Sequence, residues 1–554
     1  ESVSCIGGGS SAYVTSNGYV LNPATTYTWT GATNNDWSTS TNWSPAKTTP
    51  AINDIVRFNS GGTFTVTGIQ TQTIGQLVVS NNTIVTLQSS APAILTIRGD
   101  DEVDLDVPSG SALNLGSTNA TNTISILLNS GTTGSIAGSM NFNADVAMTP
   151  NGHQLQAVDA GAITFQSGSI FTAGVNFTGT AFGTTNLNSI VFSTGSTYIH
   201  AGGSSPFGAG QPSSVITSQT GSLYKCTGTV GPSYSGRTYA NFEVDQLTNT
   251  QNNQGSSPVT FNNFTVTNGI VSWDFSGGVN IKGDISVGSG ATLTFGNAMK
   301  VMNLALNGTF PQSIDGTGTL TFGANGTLVV NNAAGVTLNR SISLLGGLTL
   351  TAGKLTLGSN NLTLSSLTTV SGGSSTSYVA TNGAGVLIRQ GVGAMDVAFP
   401  VGTTSSYLPT TVNNAGTADD YSVKVQSTFD NAPADPTKVV NAQWTITEGT
   451  TGGSNATLKL QWNTTNQASG FAPGGTVTVG RWNSSLWEEF SSIVSGADPY
   501  VATVAGITNF SPFVVGNVQS LPVQLASFIG SYVGNIVKLE WQTITEINNY
   551  GFNV

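Results

Sequence analysis

Between Thr319 and Leu364 the chain repeats one small unit, two apolar residues flanking one other residue and then a corner rich in Gly and Asn. The pairs are Leu320/Phe322, Leu328/Val330, Val336/Leu338, Ile342/Leu344, Leu348/Leu350, Leu355/Leu357 and Leu362/Leu364, with starts 8, 8, 6, 6, 7 and 7 residues apart. Apolar side chains at i and i+2 share one face of a strand. A seven-residue spacing also fits a coiled coil. The segments GKLTLGSNNLTL and GTLTFGANGTLVV decide against it, because Gly and Asn penalise a helix and favour a turn. Each unit therefore reads as a three-residue strand and a corner. Three units make about 20 residues, one coil of a three-sided β-solenoid. Leu, Ile, Val and Phe would face inward, and Thr, Ser and Asn would cover the outside.

Looser versions of the unit run upstream, in FTVTG, LVVSNNTIVTLQ, AILTIRG, VDLDV, ALNLG, TISILLN, AITFQSGSIF, VNFTG and SIVF, with longer loops at some corners. Residues 50–370 should hold roughly 15 coils, each rising about 4.8 Å, a rod of about 70 Å. From about Asp396 the strands lengthen (DVAFPVG, YSVKVQSTF, AQWTITEG, ATLKLQW, TVTVGRW, FSPFVVG), the pattern of an antiparallel sandwich. The expected fold is all-β, a right-handed parallel β-solenoid followed by β-sandwich modules of the immunoglobulin/fibronectin kind. Its divisions are an N-terminal segment 1–26, a Trp-rich cap and solenoid 27–395, a sandwich 396–518, and the start of a further module at 519–554. Two or three strands cannot close that last module, so it is either cut short or completed by another chain.

Composition narrows the function. Only 7% of the 554 residues are charged while 38% are hydrophobic, enough for a large core, and 15 basic against 26 acidic residues leave a net charge of −11. Such a surface lacks the basic footprint of a nucleic-acid binder or of a protein that sits on anionic lipid. No apolar run approaches the roughly 20 residues of a membrane-spanning helix. Glu1 opens the chain with neither Met nor an apolar signal core, which reads as a processed N-terminus. Cys5 and Cys226 are the only cysteines, a number that suits one disulfide in an oxidising compartment, with two separate free thiols as the alternative.

Three stretches carry a resemblance. YTWTGATNNDWSTSTNWSPA, with Trp29, Trp37 and Trp43 and then Asp54, resembles the module that opens many secreted β-solenoid surface proteins of the Bacteroidota. The run from LTLTAGKLTLGSNNLTL through YVATNGAGVLIRQ and FPVGTTSSYLPTTV to ITNFSPFVVG is similar to their solenoid-then-sandwich region. LPVQLASFIGSYVGNIVKLEWQTITEINNYGF looks like the immunoglobulin/fibronectin-like unit that precedes a C-terminal sorting domain for type IX secretion. The resemblance implies export and display at the cell surface or release. It brings no catalytic residues.

Candidate chemistry is sparse. In RGDDEVDLDVPSG, Asp100, Glu102, Asp104 and Asp106 would share one strand face and could offer oxygens to calcium, which takes six to eight of them. The competing reading is a solvated outer face, in which case the protein uses no cofactor. The triplet Arg98–Asp100 is short enough to arise by chance. His153 and His200, the only histidines, have no G-x-S-x-G elbow or Cys partner to serve and read as surface or turn residues. A glycan-cleaving solenoid needs paired carboxylates at suitable separation or a calcium site with a Lys or Arg base, and no ladder of acid plus base at about 20-residue spacing is present. Trp444 and Trp462 share parity with core residues, whereas Trp482 and Trp487 read as the best exposed aromatics, candidates for stacking on sugar. Thr349, Thr356 and Thr363 recur every seven residues, which distributes them over three faces and denies the flat array that ice binding needs. Tyr550, Phe552 and Val554 alternate on one face of a last strand that could be donated to a neighbouring subunit. The sequence therefore points to an extracellular structural or adhesive surface protein that assembles with itself, and not to an enzyme. A glycan-binding protein is the alternative, and a β-helix polysaccharide lyase or hydrolase a more distant one.

Overall fold

The structure is a computed structural model that describes residues 13–14, 20–21, 24–99, 103–149, 151–252, 255–296, 301–381, 383–518, 520, 525–534 and 536–543. The fold is all-β, 2% helical and 49% strand, a parallel β-solenoid of about 14 turns followed by antiparallel, sandwich-like sheets. It divides into two compact units, Glu1–Val279 with Val287–Leu293 and Asn280–Ser286 with Thr294–Val554.

In the first unit, successive strands visit three parallel ladders in turn. One coil runs Ile55–Phe58, Thr63–Val66 and Gln72–Ile74, and the next begins at Gln76–Val79 beside the first strand. Along the first ladder Leu105 partners Gly134, Gly134 partners Ile163, Ile163 partners Ile190 and Ile190 partners Ile216. Those steps are 29, 29, 27 and 26 residues, so the coils here are longer than the 20 expected from residues 319–364. The added length lies at the corners. Beyond Gln154–Ala157 the third side runs as turns and bends, and Phe177 and Phe182 fill the core there.

Parallel pairing in register also stacks identical kinds of side chain. On the inner face of the second ladder Phe171, Tyr198, Tyr224, Phe242 and Phe264 are consecutive partners. Their ring centroids lie 5.3, 5.1, 5.3 and 6.0 Å apart, close to the strand spacing that sets them. Each aromatic contact adds roughly 1 kcal/mol to the burial of the rings. On the outer face Asn141 Nδ2 donates to Asn114 Oδ1 at 2.6 Å, one rung of an uncharged amide ladder.

An aromatic cap closes the start of the first ladder. Trp43–Ser44 runs antiparallel to Thr26–Trp29, which in turn runs parallel to Ile55–Phe58. Trp29, Trp37 and Trp43 are all buried, with Trp43 edge-on to each of the others at 4.9 Å and all three packed on Phe58. The antiparallel strand covers an edge that would otherwise invite another chain.

In the second unit the short coils follow the sequence period. Leu328 partners Leu348 and Ile342 partners Leu362, each pair 20 residues apart. Thr349, Thr356 and Thr363 stand on three different ladders. The final rung is Val401–Gly402 beside Val379–Ala380. Leu387–Val392 pairs parallel with Leu362–Leu364 and antiparallel with Asp419–Gln426, so one ladder passes directly into the sandwich. That sheet continues through Val439–Glu448, Pro512–Asn517, Val477–Trp482 and Trp487–Ser491. A second sheet holds Val397–Phe399, Thr410–Asn414, Ala456–Trp462, Tyr500–Ile507 and Ile493–Gly496. Trp444 and Trp462 are fully buried, as their parity required. Leu525–Val533 and Ile536–Thr543 form a two-stranded hairpin.

Candidate functional site

The residues expected to carry chemistry are placed differently from one another. Asp100 and Glu102 of the calcium candidate lie outside the described residues. Strand Leu105–Val107 starts after Asp104, which sits buried in a bend with Oδ2 accepting from Thr133 N at 2.8 Å. Asp106 points outward between buried Leu105 and Val107. Asp104 and Asp106 therefore do not present a shared strand face. Among the described residues no three His, Cys, Asp or Glu side chains gather as metal ligands.

Of the expected sugar-stacking pair, Trp487 is 1% exposed, a correction to its outward placement. It packs with Val439 and Val514, while the half-buried Trp482, its cross-strand partner, rests against it at 5.5 Å. The hairpin register brings both indoles to one face, which parity counted through the turn does not reveal. Tyr550, Phe552 and Val554 lie outside the described residues.

Both histidines are core residues instead of surface ones. His153 and His200 are fully buried. His153 Nδ1 accepts from Ile124 N at 3.0 Å, and His200 Nδ1 lies 2.5 Å from Tyr224 Oη while its Nε2 meets Gly203 O at 3.2 Å. Burial holds both imidazoles down at about 4, so each is neutral where it serves as an acceptor. The disulfide expectation rests on Cys5 as well as on Cys226. Cys226 is a free thiol, fully buried one rung from His200 and pushed well up by that burial, and Cys5 lies outside the described residues.

A concavity with opposite charges lies elsewhere, on the outer face of the first ladder. Arg57, Val78 and Asp106 are consecutive outward rungs, Arg57 partnering Val78 and Val78 partnering Asp106. With Gln76 and Val103 they line a groove of about 490 Å³. Arg57 Nε is buried and makes no hydrogen bond. Burial raises the Asp106 carboxyl. Two rungs separate the strands that carry the charges by roughly 9.6 Å of backbone. The Gln76 side chain is buried beside them, and Val78 and Val103 supply apolar wall.

No family model, curated protein or solved structure matches the chain. What it can do must be argued from its own geometry. Arg57 and Asp106 escape a search for an acid and a base at 20-residue spacing because their coils are 21 and 28 residues long. The usable signal was the isolated Arg in an outward strand position, IVRF, in a chain with so few charges.

Proposed function

We propose that the protein is an extracellular structural and adhesive protein of the secreted Bacteroidota β-solenoid type, a type IX secretion cargo that associates with copies of itself at the cell surface. The observation that carries this reading is the hairpin of Leu525–Val533 and Ile536–Thr543. Phe528, Ile529, Tyr532, Ile536 and Val537 are between 56% and 72% exposed on it. Apolar side chains exposed this far gain free energy when another surface covers them. Phe528, Tyr532 and Val537 share one face, since Tyr532 and Val537 are cross-strand partners and Phe528 lies four residues before Tyr532. Packing that face against a second copy would take it further out of water.

The rest of the chain supports a scaffold. Both histidines and the buried cysteine are committed to the core, and the outer ladders carry mostly short, uncharged side chains. Few charges on the flanks leave lateral contact unopposed.

Sedimentation velocity at rising protein concentration, followed by negative-stain microscopy, tests self-association. Oligomers that dissociate in the Phe528→Ser/Tyr532→Ser double variant support it. A chain that stays monomeric throughout rejects it. Protease shaving of intact producing cells tests the location, with release of solenoid fragments the expected result.

A further inference from the structure

We infer that the groove between Arg57 and Asp106 is a binding site for an acidic sugar, a pyranose that bears a carboxylate. This deepens the adhesive half of the function proposed above by giving the adhesion a ligand class. The site is assembled by the ladder itself. Arg57, Val78 and Asp106 stand on neighbouring strands of one flat sheet and are held in register by backbone pairing, so the spacing of their side chains is set before any ligand arrives.

Each wall element matches a different part of such a sugar. Arg57 presents a guanidinium whose Nε is out of water and has no acceptor, a state that a carboxylate relieves with short, charge-assisted bonds. Asp106 stands two rungs away and accepts hydrogen bonds, which selects hydroxyl donors at the other end of the ligand. Gln76, buried at the groove wall, both donates and accepts, the pattern of a hydroxyl group. Val78 and Val103 give the C–H face of a ring something apolar to rest on. The volume of about 490 Å³ falls within the range of small-ligand sites. A zwitterionic amino acid or dipeptide would satisfy the two charges, but it has no ring face to rest on Val78 and Val103. That ligand is therefore an outcome of the test.

Calorimetric titration of the full chain with galacturonic acid trimer, galactose trimer and glycylglycine separates these cases. The expected result is binding of the galacturonic acid trimer, weakened about tenfold or more in Arg57→Leu and restored in part by Arg57→Lys, with much weaker binding of the neutral trimer. Asp106→Asn provides a second variant whose fold is checked by circular dichroism. It should weaken both trimers, because the amide replaces one acceptor by a donor. Failure of the wild-type chain to bind the acidic trimer, equal binding by Arg57→Leu, or preference for glycylglycine overturns the inference. Sedimentation of the same samples reports self-association independently, so absent sugar binding in a chain that still assembles rejects this site alone. A monomer that binds the acidic trimer rejects the assembly reading alone.

Discussion

Lys47 and Asp54 form an ion pair sealed from solvent, with side-chain exposures of 4% and 2%. Asp54 also accepts from Ala51 N at 2.8 Å, and the Lys47 ammonium lies 4.4 Å from the centre of the Tyr27 ring. The pair fastens the segment after the tryptophan cap to the first full strand of the solenoid. Removing one partner leaves a buried charge with nothing to balance it. Lys47→Met should lower unfolding stability by about 3 kcal/mol or more, and Lys47→Met/Asp54→Leu should recover much of that loss. Chemical denaturation followed by tryptophan fluorescence, which the buried Trp29, Trp37 and Trp43 report, measures both.

Gly353 closes the corner between Gly347–Ala352 and Leu355–Thr356. Its φ is +76°, and a Cβ there would fall 1.7 Å from the carbonyl oxygen of Asn332 on the coil before. No side chain relaxes a clash with backbone. Gly353→Ala should destabilise the second unit by about 2 kcal/mol or more. The substitution Gly358→Ala, where φ is +58° but nothing lies within 4 Å, should show only the conformational part of the effect, about 1 kcal/mol. A Tm difference between the two variants checks the prediction.

His153 and His200 make stability depend on acid in a defined window. Their folded values are held down at about 4, against 6.5 for the free side chain, so the unfolded chain takes up protons first as the pH falls. The stabilising contribution is complete above about pH 6.5, declines between 6.5 and 4, and levels off below 4. Each histidine accounts for about 3 kcal/mol over that span. Below it, the carboxyls of Asp396 and Asp430, held down by hydrogen bonds from Lys459 and Gln443 respectively, lose their contribution in turn. Unfolding midpoints measured from pH 8 to 4 should fall steeply, and His153→Gln should flatten the slope by about half.

Cys226 should behave as a structural hydrophobe. Fully buried and with its thiolate disfavoured, it should resist alkylation in the native protein and react at once in denaturant. Reductant should leave the Tm unchanged. Labelling with a maleimide followed by mass spectrometry of the Cys226 peptide reads the first, and a melting curve with dithiothreitol the second.

The parts that could be read from the sequence are those where one period rules. Leu328/Leu348 and Ile342/Leu362 were legible because every residue between them belongs to a strand or a minimal corner. Arg57 and Asp106 were not, because the corners between them vary in length and the residue count no longer measures distance along the ladder. His200 was misplaced for a different reason. Its strand, TYIH, alternates Tyr198 and His200 inward, but an imidazole was expected to seek water, and the Tyr224 hydroxyl that satisfies it arrives from the next coil. Trp487 was hidden by the turn before it. Ser484 takes a positive φ of 79°, and the strand on its far side resumes with a face that counting cannot carry across.

Between Met302 and Leu364 the coils of the second unit are each complete. Every one carries the same three strands, and every strand finds on its neighbours the partner it would find on any other coil. A gene that gains or loses one such segment therefore lengthens or shortens this stack by a single graduation, about 4.8 Å, without composing a new core. Reach becomes a heritable quantity that changes in equal steps, independent of what the modules at the end of the stack do.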